Sequence, residues 1–285
     1  MPDLAALLPT LSVASWLLVC AGALVVGFSK TALPGAGTIA VGLFALAMPA
    51  KESTAALLLI LIVGDATALW VYRREPDVRT LVRLIPSVLV GVVAGTIFFA
   101  TVGGEAVRGT IGMILLALVA VTVWRRRVAQ LEKAADGASA GTSSADTSSA
   151  LPATRAAAAQ QAPRSSARTA LSRAGYGLLG GFTTMVANAG GPVMSMYFYA
   201  MRMPVLTFLG TAAWFFAIVN VLKLPFSAGL GLITRETLVT DALLIPLVLL
   251  GALGGAKLAR RIPQGVFENA VLVLTVASAI GLLLV

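Results

Sequence analysis

Residues 174–201 read AGYGLLGGFTTMVANAGGPVMSMYFYAM, and the fold turns on whether this apolar stretch crosses a membrane or doubles back within it. Fully helical, its 28 residues would cover about 42 Å, whereas two complete crossings of a bilayer need about 60 Å. The centre, Val186-Ala187-Asn188-Ala189-Gly190-Gly191-Pro192, suits a break: glycines permit a tight backbone turn, and Pro192 fits the first turn of a new helix. Flanking charges set the parity. Arg73, Arg74, Arg79 and Arg83 mark one loop, Arg125 to Arg127 and Arg173 bound a second region, and Lys257, Arg260 and Arg261 mark a third. Excess Lys and Arg keeps such loops on the cytoplasmic side. Thr101 to Ala106 has no basic residue and Leu224 to Glu236 has only Arg235, so these two fall outside. The chain is then cytoplasmic at Arg173 and again before Met203, and the stretch between returns to its own side. A re-entrant pair of half-helices, with its tip near the membrane midplane, satisfies both length and parity.

Working outward, 58% hydrophobic residues and only 12% charged ones in a chain of 285 place it outside soluble compositions, as does a mean hydropathy of +0.94. Six segments read as full spans: Ser53 to Tyr72, Leu84 to Gly104, Gly109 to Trp124 (extending back to Ala106), Met203 to Leu222, Thr237 to Ala256 and Asn269 to Val285. Leu11 to Pro49 is a further broken block, long enough to be either a hairpin or two crossings. Both termini then lie outside, in the periplasm of a Gram-negative cell, and no basic n-region of a cleavable signal is evident. From Arg125 to Arg173 the composition turns to Ala, Ser, Thr, Gly and Gln, which reads as a disordered cytoplasmic linker.

The halves on either side of that linker repeat. Gly27-Phe28-Ser29 aligns with Gly181-Phe182-Thr183 and Gly37 with Gly191; Pro86, Gly91 and Gly95 align with Pro246, Gly251 and Gly255. The cytoplasmic loop at Arg73 to Arg83 corresponds to an external one at Leu224 to Glu236, so the copies are inverted. The expected fold is an all-α polytopic membrane protein of two inverted-topology repeats, residues 1–124 and 174–285, joined by the linker 125–173. Each repeat has a broken re-entrant hairpin followed by three transmembrane helices, an architecture of secondary transporters. The alternative is a duplication that only builds a stable bundle. The Gly91-x-x-x-Gly95 and Gly251-x-x-x-Gly255 pairs read as helix-packing contacts.

Without histidine and with Cys20 as the single cysteine, histidine general-base chemistry, histidine-ligated metal and an intrachain disulfide framework are excluded. No cofactor or metal is implied, and an enzyme reading finds no catalytic cluster. The net charge of +9 resides in short clusters between apolar runs, which argues against nucleic acid as a partner.

A half-helix beginning inside the membrane presents unpaired N–H groups and a positive dipole end, so the cargo expected at the breaks is an anion. Asn188 and the backbone of Ala189, Gly190 and Gly191 form one donor set; Thr38 with Gly35-Ala36-Gly37 forms the other; Ser29, Thr31, Thr183 and Thr184 add hydroxyls. Lys30 either complements the anion or snorkels to the interface. Asp65 either carries a coupling proton or makes a structural hydrogen bond, with Asn220 as its polar counterpart in the second half. Lys223 and Asp241 fall near helix ends and read as snorkelling. Trp16, Trp70 and Trp124 read as interfacial anchors, and Trp214, Phe215 and Phe216 as packing residues with cavity lining as the alternative.

The segments GFSKTALPGAGTIAVGLFALAM (27–48), GFTTMVANAGGPVMSMYFYAMRMP (181–204) and FLGTAAWFFAIVNVLKLPF (208–226) resemble the sulfite exporter TauE/SafE family, also called the 4-toluene sulfonate uptake permease family. The likeness covers both halves and leaves out the linker, which is unusually long here, and Gly42 stands where members often carry proline. The resemblance implies a multi-pass bacterial inner-membrane exporter of sulfur-containing anions such as sulfite, organosulfonates or thiosulfate, driven by protons. Carried over by position, it points to Ser29, Lys30, Gly35 and Gly37 and to Thr184, Asn188, Gly190 and Gly191. A passive anion channel is the alternative function. The oligomeric state stays open, a homodimer included.

Overall fold

A computed structural model describes residues 11–103 and 166–263, together with the single positions 106, 110, 113, 117, 120, 124, 266 and 273. Most of Gly109 to Trp124, nearly all of Asn269 to Val285 and the linker up to residue 165 lie outside the described residues. Within them the chain is all helix, without strands. The elements are α1 (Val13–Thr31), a 3-10 turn (Pro34–Ala36), α2 (Gly37–Ala47), α3 (Ala50–Tyr72), α4 (Val78–Thr101), α5 (Ser166–Ala187), α6 (Gly190–Ala200), α7 (Val205–Gly229) and α8 (Arg235–Ala259). Five of them, α1, α3, α4, α7 and α8, are long and apolar enough to cross a membrane.

Both breaks follow from local sequence. A residue before proline avoids the helical region, and Leu33, ahead of Pro34, sits at φ −143°, ψ 83°, while Met48, ahead of Pro49, is extended. Thus α1 stops, and α2 is confined to 11 residues. In the second half α5 ends where Asn188 takes φ +50°, a left-handed conformation that asparagine tolerates better than most side chains. The other short helix, α6, again has 11 residues, about 16 Å and roughly half a bilayer core. Each block is therefore a helix, a break and a short helix, which corrects the expected pair of half-helices: α1 with 19 residues and α5 with 22 are of crossing length, and only α2 and α6 are short.

Two expectations need correcting. The second half becomes helical at Ser166, inside the stretch read as linker, so residues 166–173 are α5 and not disordered chain. The span expected to stop at Leu222 continues through Pro225 to Gly229, leaving only 230–234 as the loop before α8. Proline removes one N–H, and without water a membrane helix keeps its remaining internal bonds. That loop closes with Thr234 and Thr237 capping each other at the start of α8.

The halves interlock by exchanging partners. Helix α1 packs along α8, and α5 packs along α4, as the two most extensive helix contacts. Four glycines make these crossings close: a methyl on Gly27 would strike the Val248 carbonyl, on Gly251 that of Leu24, on Gly181 that of Val88 and on Gly91 that of Leu178. Helices α3 and α7 also pack together, and their contacts run in opposite order along the chain. Asp65 meets Asn220, the Arg73 carbonyl accepts from Trp214 Nε1 at 3.4 Å, and the Asp77 amide donates to Thr211 Oγ1 at 2.9 Å. Outward faces of α4 and α8 stay apolar, with Val82, Val90, Ile97, Leu250 and Leu253 exposed, as lipid contact requires.

Candidate functional site

Because both half-helices begin at a break, the amide ends of α2 and α6 open into the interior. Neither start carries a side-chain cap. A cavity of about 30 Å³ lies between the breaks. That is two to three times the room one water needs, which suits a compact ion. Its walls include Ser29, Lys30, Pro34, Gly37, Thr38, Thr184, Asn188, Gly191 and Asn220, closed by Leu61, Ala212, Ala213 and Phe216. The two breaks touch: a Cβ on Gly191 would lie 2.6 Å from the Pro34 carbonyl oxygen, so only glycine lets them approach this closely.

Lys30 stands in the last turn of α1, 8% exposed, and its Nζ lies 2.6 Å from Asp65 Oδ1 on α3. The Asn220 side-chain amide donates to Asp65 Oδ2 at 2.6 Å, so the carboxylate, 1% exposed, is held from both sides. Lys30 Nζ also rests 4.6 Å from the centre of the Phe216 ring, a cation–π contact on the cavity wall. On the opposite side Asn188 Nδ2 donates to the Thr54 carbonyl at 2.8 Å, and Lys223 Nζ donates to Asn188 Oδ1 and, at 2.6 Å, to the Thr184 carbonyl. The Lys30–Asp65 pair offsets the cost of burying each charge, and Lys223 meets that cost with hydrogen bonds to neutral oxygens alone.

Most of the expected site residues converge here. Ser29, Lys30, Gly37, Thr38, Thr184, Asn188, Gly191 and Asn220 line the cavity, whereas Gly35 is in the 3-10 turn next to Pro34 and is not among the lining residues. Gly190 packs on Thr184 and does not line it. Three expectations are corrected. The Ala189 N–H is committed to the Thr183 carbonyl at 3.2 Å and is no anion donor. The Thr183 hydroxyl donates back to Leu179 within its helix, at 2.7 Å. The Thr31 hydroxyl donates to the Ala252 carbonyl at 2.8 Å, while the Thr31 carbonyl accepts from Tyr72 Oη at 2.6 Å; Thr31 joins α1 to α8 and α3 instead of facing cargo.

Snorkelling is also overturned for two residues. Lys223 is 1% exposed and points inward, because α7 runs on to Gly229 and places it well inside a helix, not at its end. Asp241 is 5% exposed, on the α8 face shared with Thr240, Leu244 and Val248, and neither carboxylate oxygen meets a hydrogen-bond partner among the described residues. The Lys223 signal was present in the sequence: it lies three residues after Asn220, hence on the same helix face. Among the aromatics, Trp70 and Trp124 are exposed, Trp16 is half-buried, Phe215 is core, and Phe216 lines the cavity. Trp214 is partly exposed and bonded to the end of α3 instead of packed in the interior.

Compared with known proteins, the chain matches the family model described as sulfite exporter TauE/SafE over residues 19–282. No curated protein and no solved structure matches it.

Proposed function

The chain belongs to the sulfite exporter TauE/SafE family, and from that premise we propose that it exports a small sulfur-containing anion, such as sulfite, an organosulfonate or thiosulfate, by proton-coupled alternating access across the bacterial inner membrane. One observation carries the reading: two uncapped half-helix starts and the Lys30 ammonium meet at one buried cavity. Amide dipole ends and a buried cation favour negative charge by about 0.3–2 kcal/mol per helix end, depending on burial. The proposed substrate-binding set is Ser29, Lys30, Gly35, Gly37, Thr38, Thr184, Asn188 and Gly191, with Asn220 supporting and Gly190 packed behind them on Thr184.

Alternating access asks for two units moving about a fixed site, and we read residues 1–124 and the second half as inverted copies. The reciprocal glycine crossings and the opposed courses of α3 and α7 support this. Asp65 is the proposed proton carrier. An inward proton gradient drives export only by exchange, so proton and cargo take turns: the anion binds while Asp65 is ionised against Lys30, and the carboxylate takes up a proton once the anion has left. A passive anion channel is the second reading, since Asn220 and Lys30 would also hold a purely structural Asp65.

Proteoliposomes separate the two. Wild-type protein should accumulate sulfite against its gradient when a pH step is imposed and lose accumulation when the step is collapsed. Asp65→Asn should retain downhill flux while losing the pH-driven component. Unchanged pH-driven accumulation by Asp65→Asn would remove the carboxylate from the coupling role.

A further inference from the structure

The second motif lacks the lysine of the first: in the register that sets Gly27 on Gly181, Lys30 falls on Thr184. An ammonium nevertheless reaches that place, delivered by another helix. Lys223 of α7 donates to the Thr184 carbonyl and to Asn188 Oδ1. The consequence for the local field is direct. Each break sets the negative carbonyl end of one helix beside the positive amide end of the next, and the two would largely cancel. Lys30 offsets the carbonyl end of α1 from within its last turn. Lys223, by holding the Thr184 carbonyl, offsets the end of α5 and leaves the amide end of α6 to act at Gly191.

Charge balance follows from the same contacts. Lys30 and Asp65 form one pair whose total charge is zero wherever their shared proton sits. Lys223 bonds only to neutral oxygens, and no carboxylate lies within ion-pair distance of it among the described residues. One positive charge is thus left behind the cavity wall. A monoanion cancels it, whereas a dianion leaves a buried negative charge without a partner.

We infer that Lys223 is the second cation of the site, acting through Asn188 and Thr184, and that it makes the cavity selective for monoanions over dianions. This rests on the reading of the cavity as an anion site. The test is titration calorimetry on the full chain in detergent at fixed pH and ionic strength. Methanesulfonate serves as monoanion and thiosulfate as a dianion of similar tetrahedral shape. Wild type should bind methanesulfonate more tightly, and Lys223→Arg should keep that order. Lys223→Gln should lower methanesulfonate affinity about 10- to 100-fold, the range for losing a charged partner in a buried site. Asp65→Asn, which leaves Lys30 unneutralised, should shift the preference to thiosulfate, a change that a merely structural Lys223 does not predict. Should Lys223→Gln not fold, the wild-type order and the Asp65→Asn shift decide. Tighter thiosulfate binding by wild type, or full methanesulfonate affinity in Lys223→Gln, overturns the inference and leaves the anion reading standing. Binding of neither anion by wild type overturns both.

Discussion

Asn188 does two jobs with one side chain. Its left-handed backbone ends α5, and its amide links the Thr54 carbonyl to the Lys223 ammonium. The two jobs separate on substitution. Asn188→Ala loses both and should be destabilised by about 2–4 kcal/mol, from the left-handed strain and the unsatisfied buried partners. Asn188→Gly keeps the turn and should melt higher than Asn188→Ala, yet neither should bind methanesulfonate; thermal unfolding with and without that anion checks both expectations. Asp77 offers a residue away from the cavity. Accepting from the Thr80 hydroxyl at 2.7 Å and the Thr80 amide at 3.1 Å, it caps α4, and the hydroxyl bond holds its carboxyl below the usual carboxylate range. A lowered folded value means that its stabilisation is complete above the unfolded carboxylate pKa of about 4 and is lost as pH falls through the folded one. Asp77→Ala should cost about 1 kcal/mol at neutral pH, and the gap from wild type should close on acidification, read as melting temperature against pH.

At the scale of elements, the helix crossings carry the packing. Gly27 and Gly181 occupy equivalent places on α1 and α5 and press on equivalent backbone of α8 and α4. Alanine at either should cost about 1–3 kcal/mol through overpacking. The two losses should be similar in size, and melting temperatures of Gly27→Ala and Gly181→Ala in detergent measure them; a neutral substitution at one crossing would mean that the halves do not pack equivalently. The breaks were legible in sequence because proline, glycine and asparagine act locally. The far end of α7 was not: Pro225 looks like a terminator, and only the membrane setting lets the helix continue past it.

For the whole molecule, the proposal demands that equivalent loops face opposite sides of the membrane. With Cys20 replaced by serine, Glu75→Cys, just after α3, should react with an impermeant thiol reagent only from the cytoplasm. Gly231→Cys, just after α7, should react only from outside. Labelling of both from one side would dismiss the inverted arrangement, and with it the rocking mechanism.

The sequence by itself determined the membrane setting, the two broken blocks and most of the cavity's polar wall. Those features are written in composition, in proline and glycine, and in motifs that each lie on one short segment. Only the tertiary structure decided that Asp65 pairs with Lys30, that Lys223 is buried against Thr184 and Asn188, and that Thr31, Thr183 and Ala189 spend their polar groups on the scaffold. A side chain's partner depends on which helix is packed opposite it, and that is a property of the assembled bundle which no single stretch of chain contains.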